Sequence, residues 1–191
     1  ARIDYYAREL DGALEQFEHL PYLIGIEAAL VELLYSPSEA VRVNAANHYL
    51  DFAQSRAGIA AAYLMDAGGT TLASSNWDQP TSFVGHNYAF RPYFQEALSG
   101  RTGRFYGVGV TTGEPGAFIA APIAVGADVI GVAAIKLSLA GIEDGWRQSG
   151  ENLAVADASG VIFLASDAAR RYRTLEPLPA ALRERLRLTR Q

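Results

Sequence analysis

Two basic residues stand where a cation is out of place unless it has work to do. Arg91 lies in Asn-Tyr-Ala-Phe-Arg-Pro-Tyr-Phe (87–94), and Lys136 is the single lysine of an apolar hairpin. A guanidinium is a planar fork of donors that matches a carboxylate bidentately, whereas an ammonium is a point charge suited to a second anion. Between them runs Gly-Arg-Phe-Tyr-Gly-Val-Gly-Val-Thr-Thr-Gly (103–113). Its Thr111 and Thr112 bring hydroxyls, and Gly107, Gly109 and Gly113 let backbone N–H groups approach a ligand. These residue types hold a small anion and do not transform it.

The alternatives are blander. Arg91 could pair with a nearby acid such as Asp78 or Glu96, and Lys136 could be an edge-strand lysine that discourages aggregation. Tyr93 and Tyr106 read as core aromatics. A hydrolase would need a histidine base beside its nucleophile, and only His86 lies near the motif. His19, His48 and His86 lack liganding spacing, so neither metal nor cofactor is expected. Glu143 and Asp144 are adjacent, cannot face each other as a catalytic pair, and fit a solvated loop.

The 191 residues suffice for one good core and a smaller module, half of them apolar. A net charge of -5 argues against nucleic acid, so an anion site must be a local basic pocket on an acidic body. With no cysteine, disulfides and thiolate chemistry drop out. The chain opens inside a helical pattern, as expected of a piece of a longer protein. Residues 117–142 are the one stretch that could pass for a membrane span. Pro122, Gly126, Asp128, Gly131 and Lys136 interrupt the roughly 20 apolar residues a span requires, so two buried strands are expected instead.

Apolar residues at Ile3, Leu10, Phe17, Ile24 and Val31 recur every seventh position and predict a long helix over 1–35. Pro21 predicts a kink or break near His19. The stripe either packs on its own domain or forms part of a dimer seam. A second helix is expected over about 38–57, ended by Gly58. Strands follow at 59–65 and 70–74 around Asp66-Ala67-Gly68-Gly69, then a polar loop over 75–87 and a short helix from Arg91 to Ser99. Three more strands are expected near 104–110, 116–124 and 129–139, and a helix with Trp146 near 139–149. Asp-Ala-x-Gly then recurs at 157–160, an offset of 91 residues (157 minus 66), again with a return strand ending in Ala-Ser. The echo predicts two related modules.

The order Asn-Tyr-Ala-Phe-Arg-Pro-Tyr-Phe, Phe-Tyr-Gly-x-Gly-x-Thr-Thr-Gly, then a strand lysine resembles the extracytoplasmic sensor domain of C4-dicarboxylate sensor histidine kinases of the DctB type. The resemblance covers about residues 58 to 180. It implies an α+β double-Cache fold: N-terminal helices (1–57), a membrane-distal, ligand-binding PAS-like module (58–149) and a smaller, partial membrane-proximal module (150–191). It implies a periplasmic domain of an inner-membrane kinase, itself without catalysis, dimerising through its N-terminal helix, with a chemotaxis receptor as the alternative output. Arg91 would grip one ligand carboxylate and Lys136 the other. Tyr88 would wall the ligand, and Thr111, Thr112 and Gly113 would donate to it. Departures lie at Gly109-Val110-Thr111-Thr112-Gly113, where Gly-Thr-Thr-Ser-Gly is common, and at Ala117-Phe118 and Ala120-Ala121, where polar residues are common. Either a looser fit to C4-dicarboxylates or a different small organic acid is the expectation.

Overall fold

The computed structural model describes residues 2–157 and 159–189. Its N-terminal helical stretch comes in three pieces: α1 (Arg2–Glu15), α2 (Leu20–Gly25) and α3 (Ala28–Tyr35). The first break falls beside His19, where Pro21 led the sequence to expect one. Pro21 occupies the first turn of α2, which lacks intrahelical donors anyway, so it starts a helix as much as it stops one. A second break at Ile26-Glu27 has no such sequence signal. Along the seven-residue row Leu10 and Ile24 are buried and Phe17 and Val31 half-buried, so its described members stay turned inward across both breaks. Leu10, Leu14, Ile24, Leu30 and Leu33 are buried, while Tyr35 is 63% exposed.

α4 (Ala40–Ala57) ends at Gly58, whose left-handed backbone (φ 66°) suits a residue without a Cβ. The chain then builds β1 (Ala61–Asp66), β2 (Thr71–Ser74), α5 (Pro92–Leu98), β3 (Gly103–Val108), β4 (Pro115–Val125) and β5 (Asp128–Leu137). These five strands form one sheet in the order β2-β1-β5-β4-β3. In the antiparallel β1–β5 pair Ala61 faces Lys136, Tyr63 faces Ala134 and Met65 faces Val132. Directly opposed residues share a face, so Lys136, Tyr63 and Met65 lie on one side of the sheet. The other side carries Ala133 and Ile123, both in contact range of a Cβ at Gly25 in α2. There α2 packs on β5, and α4 on β1 and β2. The fold is α+β, with helices covering one face of an antiparallel sheet.

The chain divides into two compact units. Residues 1–105 and 118–137 make the first, and 106–117 with 138–191 make the second, smaller one. The second holds α6 (Ala140–Gln148), the hairpin of β6 (Ala154–Ala156) and β7 (Ile162–Ala165), a 3-10 turn at Ala168–Arg170, and α7 (Ala180–Thr189). Among the described residues no helix is long and apolar enough to cross a membrane, and 117–142 forms strands.

The echo seen in the sequence is a repeat of hydrogen bonds. β1 and β2 pair Tyr63 with Ser74 and Leu64 with Ala73, then slip to Met65 with Thr71. β6 and β7 pair Ala154 with Ala165 and Val155 with Leu164, then slip to Ala156 with Ile162. Every partner is displaced by the same offset, including the slip. Asp66 accepts from Thr70 N at 2.9 Å, and Asp157 accepts from Val161 N at 3.0 Å. Ser75 and Ser166 each accept, through Oγ, from the N–H of Ala62 and Leu153 respectively, both at 3.0 Å. Local turn chemistry of this kind survives in a short module because an aspartate fixes its own turn.

One sequence reading is corrected in the second unit. Glu143 is not in a solvated loop: it lies on α6, is buried, and pairs with Arg171 at 3.2 Å. Its other oxygen accepts from Ala165 N of β7 at 3.3 Å. Asp144, one residue on, faces outward and pairs with Arg147 at 2.6 Å. A helix turns 100° per residue, so neighbours take opposite fates.

Thr71 on β2 is 1% exposed, and its Oγ1 meets no hydrogen-bond partner among the described residues. Thr71→Val keeps the shape and removes the unmet hydroxyl. It is expected to raise stability by about 1 kcal/mol. Urea denaturation checks this, and a lower midpoint for the variant contradicts it.

Candidate functional site

Asn87 holds the Arg91 segment against the sheet. Its Nδ2 donates to Gly68 O at 2.8 Å and Thr70 Oγ1 at 3.2 Å, while its Oδ1 accepts from Ala89 N at 3.0 Å. Gly69 permits the approach. With φ at 83° and the Ala89 backbone within 3 Å of any added Cβ, no larger residue fits there. Tyr88 N then donates to Gly69 O, and Arg91 N to Tyr88 O, both at 2.9 Å. Arg91 emerges as the N-cap of α5, extended at φ -77° and ψ 135°, with Pro92 opening the first turn.

The guanidinium is enclosed by aromatic rings. Arg91 is 1% exposed, among the largest side chains buried so fully. Its Cζ stands 4.8 Å from the Phe105 ring centre, 5.4 Å from Phe90 and 6.0 Å from Phe118. Asp78 and Glu96, its candidate partners from sequence, are both exposed. Lys136 is 2% exposed, with Nζ 6.0 Å from the same Phe118 ring. β5 is the central strand of the sheet, which removes the edge-strand explanation. The structure therefore brings the two cations to one aromatic ring.

Tyr88 is buried, its ring 6.0 Å from the Tyr63 ring, 6.2 Å from Phe83, and stacked on His86 at 6.3 Å. Tyr93 lies parallel to Phe118 at 5.5 Å. Burial pushes the Tyr63 and Tyr93 hydroxyls well up from the usual tyrosine range, against the pull of the Arg91 charge. Both stay protonated. Thr111, Thr112 and Gly113 form the turn between β3 and β4, which belongs to the second unit. Gly113 N donates to Gly109 O at 2.7 Å, and Thr112 Oγ1 accepts from Glu114 N at 3.3 Å. Gly113 is left-handed at φ 70°.

Sequence reasoning missed Tyr63, Phe105 and Phe118, and set Tyr93 aside as a core residue. Alternation along β1 and β4 was the available signal, since residues two apart share a face. The same alternation revises the alanine argument. Ile123 faces the helices, so Ala121 does too; Ala120 shares the Phe118 face. The second unit has its own groove of about 240 Å³, lined by Arg147, Gly150, Glu151, Asn152, Ser166 and Asp167. Asp144 already engages Arg147, and Arg170 engages Asn152. Among the described residues no cluster of acids or histidines could hold a metal.

An antiparallel sheet helix-covered on one face, with two buried cations on an aromatic wall at the other, defines a PAS-like ligand-sensing domain. No family model matches the chain. The C4-dicarboxylate transport sensor protein DctB of Pseudomonas aeruginosa is 38% identical over 184 residues, 96% of the chain. The chain spans only 30% of that relative's length. The sensor domain of the V. cholerae histidine kinase DctB superposes with a TM-score of 0.92 at 31% identity, over 99% of this chain and 73% of that one. The ligand-binding domain of the P. aeruginosa amino acid chemoreceptor PctC, solved with GABA, gives 0.67 at 25% identity, over 92% of this chain and 80% of that one. The chain belongs to the family of DctB-type histidine kinase sensor domains.

Proposed function

We propose that this domain senses a small dicarboxylate of the C4 class in the periplasm, as the input end of a membrane-bound two-component kinase. The observation that carries this reading is the pair of buried cations, Arg91 and Lys136, each 6.0 Å from the Phe118 ring centre. Two like charges so placed repel in a low-dielectric setting, and a dianion relieves both at once. Arg91 presents its fork to one carboxylate, and Lys136 its point charge to the other. Tyr88 walls the ligand, as the family resemblance suggests. The name of the P. aeruginosa relative supports the ligand class. Dimerisation through the N-terminal helices is part of the same proposal. Signalling then requires that the ligand favour one arrangement of the domain over another.

Thermal-shift measurements over succinate, malate, acetate and GABA test it. A ligand at a hundred times its dissociation constant adds about 2.7 kcal/mol of stability, which in a chain of this size raises Tm by roughly 5–10 °C. Succinate or malate is expected to do so and acetate, with one carboxylate, to do much less. GABA carries an ammonium that Lys136 repels. Stabilisation by GABA alone would move the reading to an amino-acid receptor.

A further inference from the structure

Tyr63 and Tyr93 meet hydroxyl to hydroxyl at 2.9 Å, Tyr63 donating. Each is 1% exposed. Two hydroxyls carry two protons, and the bond between them uses one. The Tyr93 proton has no acceptor among the described residues. A buried donor left unmet is costly, and native proteins seldom keep one without a use.

The surroundings say what that use is. Tyr93 follows Arg91 by two residues on the first turn of α5, and its ring lies within 6° of parallel to Phe118. Phe118 is the ring that both cations approach. Tyr63 stands on the same sheet face as Lys136, one strand away. Both hydroxyls feel the Arg91 charge, yet burial keeps them protonated, so they enter the site as donors.

We propose that Tyr93 is a further ligand contact, its O–H donating to the carboxylate that Arg91 grips. Tyr63 acts behind it as a positioning residue. By donating to Tyr93 it fixes the orientation of that hydroxyl and polarises its remaining proton. The consequence is specificity. Arg91 and Lys136 offer donors only, and Tyr93, whose oxygen already accepts from Tyr63, offers its proton, so the site takes ionised carboxylates and discriminates against ligands that bring a proton or an ammonium of their own. The inference rests on the proposed dicarboxylate site and adds a residue to it.

Calorimetric titration of the 191-residue chain with succinate tests it. Tyr93→Phe is expected to weaken succinate binding about 10- to 100-fold, the usual effect of losing a hydrogen bond to a charged group. Tyr63→Phe leaves the Tyr93 proton in place and is expected to weaken it less than about 10-fold. A merely structural pair would lower the stability of both ligand-free variants and leave their dissociation constants within about twofold of the parent; that result overturns the inference. If Tyr93→Phe fails to fold, tyrosine difference absorption on succinate saturation of Tyr88→Phe, which lacks the other tyrosine hydroxyl of the proposed site, decides. A perturbed tyrosine band is expected, and an unperturbed one contradicts the contact. Arg91→Ala separates the two levels. If it loses succinate while Tyr93→Phe keeps it, only the Tyr93 contact fails. If the parent binds neither succinate nor malate, the dicarboxylate site fails and this contact with it.

Discussion

Arg91→Ala is expected to abolish dicarboxylate binding. Truncating one partner of a buried, hydrogen-bonded charge pair costs about 2–5 kcal/mol, or roughly 30-fold to several thousand-fold in affinity. The loss has two sources: the bidentate fork goes, and the ligand carboxylate must then sit against Phe90, Phe105 and Phe118 with no charge to meet it. Arg91 is also a large buried side chain, so alanine leaves space among those rings and some stability is lost with it. Arg91→Met separates the effects, because it keeps much of the stem volume while removing the charge. Both variants are expected to lose succinate by calorimetry, and the methionine variant to keep the parent's near-ultraviolet circular dichroism. A folded variant of either kind with unchanged affinity would remove Arg91 from the site.

The largest stability effect is expected from Glu143→Ala. The carboxylate joins α6 to β7 through Ala165 N and reaches Arg171 beyond the 3-10 turn. Removing one partner of a buried pair typically costs about 3–5 kcal/mol because the other is left uncompensated. Arg171 is 25% exposed and recovers some hydration, so about 2–4 kcal/mol is expected. Asp144→Ala is the control, since its pair with Arg147 is solvent-exposed and worth under about 1 kcal/mol. Guanidinium denaturation of the two variants compares them directly. Equal midpoints would show that the Glu143 pair contributes no more than a surface ion pair. Replacing Glu143 and Arg171 together by methionine should recover much of the loss, because no charge is then stranded.

The pair of hairpins shows what local chemistry reaches. Asp66 and Asp157 each fix their turn by accepting from a backbone N–H four residues ahead, so the motif states its geometry in the sequence itself. Gly58 and Pro92 likewise mark helix ends through backbone constraints that no neighbour alters. The two buried cations were legible for a related reason: an arginine and a lysine in apolar runs violate the burial pattern wherever the chain goes.

Other properties belong to contacts between distant segments. The seven-residue row in the first 35 residues marks Leu10 and Ile24 but not Leu30 and Leu33, which packing after the break at Ile26-Glu27 buries while it leaves Tyr35 out. Whether Lys136 guards an edge or serves a site depends on strand order, which periodicity does not encode; the sheet makes β5 central. Glu143 reads as a surface acid until Arg171 arrives from 28 residues away. Tyr63 and Tyr93, 30 residues apart, become a hydroxyl pair only when α5 packs across the sheet face. The sequence by itself determined the elements and singled out Arg91 and Lys136, because backbone constraints and burial costs act residue by residue. Tertiary structure decided which aromatic rings enclose the cations, because a ring's neighbours are set by sheet register and helix placement.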